Sequence, residues 1–140
     1  MTWQRGPIDF PDPYDVALTI VRDAIAASVD DDIVGVTAVR TMPTPRPAAV
    51  IQLRIDGGSA GQVQGLVDAS LLTYRTWGAD ARQARILAEF VRGALLNAPQ
   101  SVAGAKVSRV VDRLRPIDVT DPDDESVTTY FGRVDLWLRT

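Results

Sequence analysis

The 140-residue chain contains no cysteine and no histidine. Without cysteine there can be no disulfide, no thiolate nucleophile and no thiolate-held zinc or iron–sulfur site. The missing histidine removes the commonest general base, the commonest transition-metal ligand, and every Ser-His or Cys-His arrangement. Lysine is nearly absent too: of 15 basic residues only Lys106 is not arginine. Codon bias in a GC-rich genome explains that choice, although arginine's planar fork also suits interface ion pairs better than lysine does. Eighteen acidic residues outweigh the basic ones, for a net charge of -3. A sequence-independent grip on DNA is therefore disfavoured unless the charge is strongly segregated. The opening MTWQRGPIDF lacks the apolar core of a signal peptide, and no run approaches the roughly 18 apolar residues of a membrane span. The expectation is a protein made in the cytosol, without a membrane partner, folded as one domain over residues 1–140.

Residues 1–11 read as an N-terminal arm. Gly6, Pro7 and Pro11 break regular structure, while Trp3, Ile8 and Phe10 must cover either the chain's own core or a partner. A first helix starts with Asp12 as N-cap, Pro13 at its first position and Asp15 at the positive end of the dipole. Val16, Ala17, Ile20, Val21, Ala24 and Ile25 recur at steps of three and four to about Ser28. Asp30, Asp31 and Asp32 resemble a fragment of a cation site but lack EF-hand spacing, so they read as a solvated turn.

Residues 33–40 and 48–55 read as strands. Between them Pro43, Pro45 and Pro47 predict a stiff projecting connection, taken as a hairpin loop. The glycine-rich stretch 56–61 has neither a GxGxxG pattern nor a Walker lysine, and reads as a second hairpin turn leading into a strand over 66–75. Asp80 and Gln83 form a capping-box pair that opens a helix reaching about Asn97 before Pro99. Its polar face carries Arg82, Arg85, Glu89 and Arg92. The apolar arc of Ile86, Leu87, Ala88, Phe90, Val91 and Leu95 is broader than one sheet face requires, so the first helix or another subunit should meet the remainder.

Residues 100–104 read as a loop, 105–115 as a bent strand, and 116–125 as an exposed acidic loop with Asp118, Asp121, Asp123, Asp124 and Glu125 around Pro122. The last strand, 128–139, alternates cleanly. Tyr130, Gly132, Val134, Leu136 and Leu138 face one way; Phe131, Arg133, Asp135, Trp137 and Arg139 face the other, which suits a central strand. The sum is an α+β fold: a mostly antiparallel sheet of four to five strands with two main helices packed on one face.

Little chemistry is on offer. The acids within strand patterns are Asp68, Asp112 and Asp135, and a carboxylate dyad needs one of its members raised in an apolar pocket. Asp135, between Arg133 and Trp137, should instead pair with an arginine on a neighbouring strand. Ser70 and Tyr74 have no evident base nearby. The expectation is a protein that is not an enzyme, with no catalytic residue, metal site or cofactor.

The order of features carries more. Asp-Pro-Tyr-Asp-Val at 12–16 precedes a strand, a proline-rich segment ending Arg46-Pro47, a second strand and Gly57-Gly58. Leu66-Val67-Asp68 then leads into Thr73-Tyr74-Arg75-Thr76-Trp77-Gly78, an alanine-rich helix, Asp121-Pro122-Asp123 and the closing strand. In order, spacing and length the chain resembles the tail terminator proteins of long-tailed, siphovirus-type bacteriophages, particularly those of actinobacterial hosts. That resemblance implies a virion protein, assembled in the host cytoplasm, that forms a homohexameric ring on the head-proximal end of the tail. It would end tail tube polymerisation, join a connector or neck protein, and pass DNA through its lumen without sequence-specific binding. It brings no catalytic residue. The acidic balance suits a conduit that repels phosphates. A ring needs a heterologous interface, for which Trp3, Phe10, Phe131 and Trp137 are candidates, with Arg133 and Asp135 setting register. Pro43, Pro45, Arg46, Pro47, Gly57, Gly58 and Gly61 are candidate tube or neck contacts. Another neck component, such as a head-closure protein, or a monomeric assembly-binding module are the alternatives.

Overall fold

A computed structural model describes residues 11–60 and 67–139. Helix α1 (Pro13–Ala27) begins where its cap predicts, with the Asp12 carboxylate accepting from the Tyr14 amide at 2.9 Å. Its stripe buries Val16, Ala17, Ile20 and Val21. The three aspartates that follow form a turn: Asp30 Oδ1 accepts from the Asp32 amide, and the Asp30 carbonyl accepts from Ile33 and Val34. The turn consumes the start of the expected strand, drops Ile33 into the core and bends back at Gly35 (φ +77°), leaving only β1 (Thr37–Val39).

Strands β2 (Val50–Ala60) and β3 (Val67–Trp77) precede α2 (Ala81–Leu96). Asp80 caps α2 by accepting from the Gln83 amide, and Gln83 Oε1 accepts from the Ala79 amide, one residue earlier than in the usual reciprocal box. The Thr76 hydroxyl donates to the Ala84 carbonyl at 2.7 Å and fastens the helix start to β3. A two-residue β4 (Ser101–Val102), in a stretch expected to be loop, then leads through Ala103 and Gly104 into β5 (Ala105–Asp121) and β6 (Asp124–Arg139).

The sheet has six strands in the order β1-β2-β3-β6-β5-β4, rather than four to five, and β1 runs parallel to β2 while every other pair is antiparallel. Three expectations change with it. The proline segment is not a hairpin loop: Thr37 pairs Val50 and Val39 pairs Gln52, so residues 40–49 must carry the chain back along β1 before β2 begins. Gly57 and Gly58 are not a turn but lie within β2. One extra residue is accommodated between Ile55 and Gly58, where Gly57 takes φ +115°, a value side chains rarely tolerate. Residues 116–125 are not a loop, because β5 continues through Pro116 to Asp121 and turns at Pro122 and Asp123 directly into β6. Pro116 falls in the register shift between Leu114 and Ile117, where a missing N–H costs the ladder nothing. Further shifts between Val107 and Arg109 and between Asp112 and Leu114 account for the broken alternation of that segment.

Both helices pack on one sheet face. Their buried residues join Ile51, Leu53, Leu72, Tyr74, Val134, Leu136 and Leu138 in a continuous core. Strand β6 is central, laddered to β3 on one side and β5 on the other. Tyr74 pairs with Gly132, and a Cβ at that glycine would fall within the Tyr74 ring. The outer strands are short. β1 meets only Val50, Ile51 and Gln52, and β4 only Ala105 and Lys106, so most of the outer edge of β5 has no strand partner among the described residues.

Candidate assembly surface

Alternation places Leu71, Thr73, Arg75 and Trp77 of β3 beside Phe131, Arg133, Asp135 and Trp137 of β6, on the side away from the helices. Strand β5 continues this outer face with Arg109, Val111, Leu114 and Ile117, which pair with Trp137, Asp135, Arg133 and Phe131. Guanidinium groups lie over its rings. Arg75 stands 6.0 Å from the Trp77 ring and 5.5 Å from Phe131, Arg133 is 5.2 Å from Phe131, and Arg109 is 4.7 Å from Trp137. The Asp135 carboxylate accepts from Arg113 Nε at 2.6 Å, the cross-strand pairing its neighbours predicted. Apolar area remains in the open: Ile117 is 46% exposed, and Phe131, Trp137, Val111 and Leu114 are half-buried. Trp137 Nε1 and Arg75 Nε are buried without an acceptor among the described residues.

At one end of this face the β5–β6 turn is pinned down. Trp77 Nε1 donates to Asp121 Oδ2 at 2.8 Å, both residues being buried, and Asp121 Oδ1 accepts from the Asp123 amide. Met42, Pro43, Thr44 and Arg46 stand across from residues 121–124, enclosing a cleft of about 500 Å³ floored by Gln52, Arg75 and Trp77. The tip itself is acidic, with Asp118, Asp123, Asp124 and Glu125 all exposed. The Ser126 hydroxyl and amide donate to Asp124 and hold its carboxyl below the ordinary value, with Arg46 adding to the effect.

The strand alternation thus brings Phe131, Arg133, Asp135 and Trp137 together on one surface. Pro43, Pro45, Arg46 and Pro47 lie in the 40–49 connection, of which Pro43 and Arg46 line the cleft. Gly57 and Gly58 are strand residues, and Trp3, Phe10 and Gly61 lie outside the described residues. Arg75 and Trp77 of β3, with Arg109 and Asp121 of β5, complete the site beyond the residues the sequence points to. The first two share the phase of Thr73 on β3 and could have been found that way. Arg109 is hidden by the register shift beside it, and nothing local joins Asp121 to a tryptophan 44 positions earlier.

On the helix side, Arg92 reaches from α2 to Asp112 of β5, donating from Nη2 at 2.7 Å and Nε at 2.9 Å. Burial first, and the Asp112 charge second, push the Tyr74 hydroxyl well above its ordinary pKa, so it stays protonated and offers no base. Arg82 grips Asp32 with two bonds, tying α2 to the turn after α1. Among the described residues no three acidic side chains are grouped to hold a metal ion, and no helix is long and apolar enough to cross a membrane.

No family model matches the chain, and no curated protein matches it in sequence. Among solved structures, a chain of the virion of a native gene transfer agent particle is similar, with a TM-score of 0.60 at 12% identity. The match covers 86% of this chain and 92% of that one. The two chains share a fold.

Proposed function

We propose that this protein is a structural component of a phage-like virion that works by shape, as a ring capping the head-proximal end of a tail tube. The observation that carries the reading is the fold shared with a chain of a gene transfer agent virion, over 86% of this chain and 92% of that one. The outer sheet face, which neither helix covers, supports it. Aromatic and arginine side chains are enriched at protein interfaces, and a face this apolar beside a helix-covered core is best used against a partner. In this reading the protein is not an enzyme and holds no cofactor. Its partners are further copies of itself, six to a ring, then the tail tube protein below and a neck or connector protein above, with DNA crossing the lumen.

Native mass spectrometry over a range of concentrations tests the reading, with a six-fold species expected. Addition to polymerising tail tube protein should shorten the tubes. A chain that remains monomeric at every concentration and leaves tube length unchanged would overturn it.

A further inference from the structure

The net charge of the chain conceals a segregation. The outer sheet face is rich in arginine, with Arg75, Arg109 and Arg133 stacked on its rings, while the β5–β6 tip is acidic at Asp123 and Glu125. We propose that these two surfaces are the two halves of one self-contact: the acidic tip of one copy docks on the arginine and aromatic sheet face of the next. The inference rests on the ring reading above and names the surfaces that would close the ring.

The geometry keeps the tip from the far end of this face within a single chain. Glu125 is the second residue of β6 and Trp137 lies near its end, so at about 3.3 Å per residue the tip and the Arg109–Trp137 stack are about 40 Å apart on a fully laddered strand. The Trp77–Asp121 hydrogen bond fixes the tip further, at the end of the sheet away from that stack. Arg46 and Arg75 already share the cleft with residues 121–124, so it is the far end of the face, at Arg109 and Trp137, that the tip reaches only in another copy. Because the two surfaces differ, the contact is heterologous, and repetition generates a closed ring when the rotation allows it. A nucleic acid suits the face less well. Its rings already carry the chain's own guanidinium groups, which compete with bases for the same ring faces.

The test is a charge swap in the full chain, read by sedimentation velocity at low and high salt. Arg109, Arg133, Asp123 and Glu125 are exposed, so reversing them should leave the circular dichroism spectrum unchanged. Either R109E/R133E or D123K/E125K alone should weaken self-association about tenfold or more, because like charges then meet. An equimolar mixture of the two variants should regain assembly, since each supplies the surface that the other needs. The variant carrying all four substitutions should assemble by itself, its lysine tip meeting its glutamate face. Wild-type assembly insensitive to either pair, or failure of the swap to restore it, would overturn this inference and leave the ring reading standing. A wild-type chain that never associates would overturn both. If R109E/R133E instead loses retention of a short single-stranded oligonucleotide while associating like wild type, the face belongs to nucleic acid and the inference fails.

Discussion

The contact between Tyr74 and Gly132 shows how little latitude single positions have in this fold. The phenol ring lies where a Cβ of residue 132 would stand, so Gly132→Ala forces overpacking at the centre of the sheet. A loss of about 2–3 kcal/mol is expected in urea unfolding. Combining it with Tyr74→Leu should return part of that loss, as coupled neighbours do. Trp77 makes the second sensitive contact. Asp121→Ala leaves a buried indole N–H unpaired and should cost about 1–3 kcal/mol, whereas Asp121→Asn keeps an acceptor and should cost less in the same assay. A third case concerns proton binding. Asp124 is held below its ordinary 3.8 by the Ser126 hydroxyl and amide. The stabilisation that follows is present above the unfolded-state pKa and lost as pH falls through the lower, folded value. Ser126→Ala removes the larger of the two causes, and the Asp124 carboxyl should then titrate closer to 3.8 when followed by NMR.

At the scale of elements, local chemistry was legible and strand partnership was not. Asp12 with Pro13, and Asp80 with Gln83, announce both helices because a cap is a contact between residues two or three apart. Asp80→Ala is accordingly expected to lower stability by about 1 kcal/mol. Arg82→Ala should move the thermal midpoint less, its ion pair to Asp32 standing largely in solvent. The alternation of 128–139 revealed both the central strand and the side chains of its outer face, since a period of two is also a local property. Misreadings arose where pairing overrode composition. Pro116 and its acidic neighbours resemble a loop, yet a bulge absorbs the proline and every charge but that of the buried Asp121 stands in solvent along a continuous hairpin. Gly57 and Gly58 signal a turn in sequence, and a bulge uses the same freedom of φ. The direction of β1 could not be read, because three residues beside a proline segment carry no mark of parallel or antiparallel pairing. The outer face was half legible for a related reason: β6 showed its own side chains, but their neighbours on β3 and β5 depend on register.

For the molecule as a whole, the first omissions noted in the composition carry a consequence for assembly. With no histidine, the side-chain type that ordinarily titrates between about pH 5 and 8 is absent. An association held by arginine and carboxylate should therefore show no histidine-type step across that range. Sedimentation velocity against pH checks this, and a step near pH 6.5 would contradict it. Charge segregation also revises the meaning of the mild net acidity: the average of -3 hides one basic face and one acidic tip, which matter more than their sum. The central position of β6 has a mechanical side as well. Tension along a strand laddered on both flanks is carried by two rows of hydrogen bonds in shear, all loaded together, instead of being released one bond at a time as in peeling. The two rows are unequal, because all the register shifts along β6 lie on the β5 side. Under load the β5 row should therefore yield first, around Pro116, while the row shared with β3 keeps the strand anchored to the core.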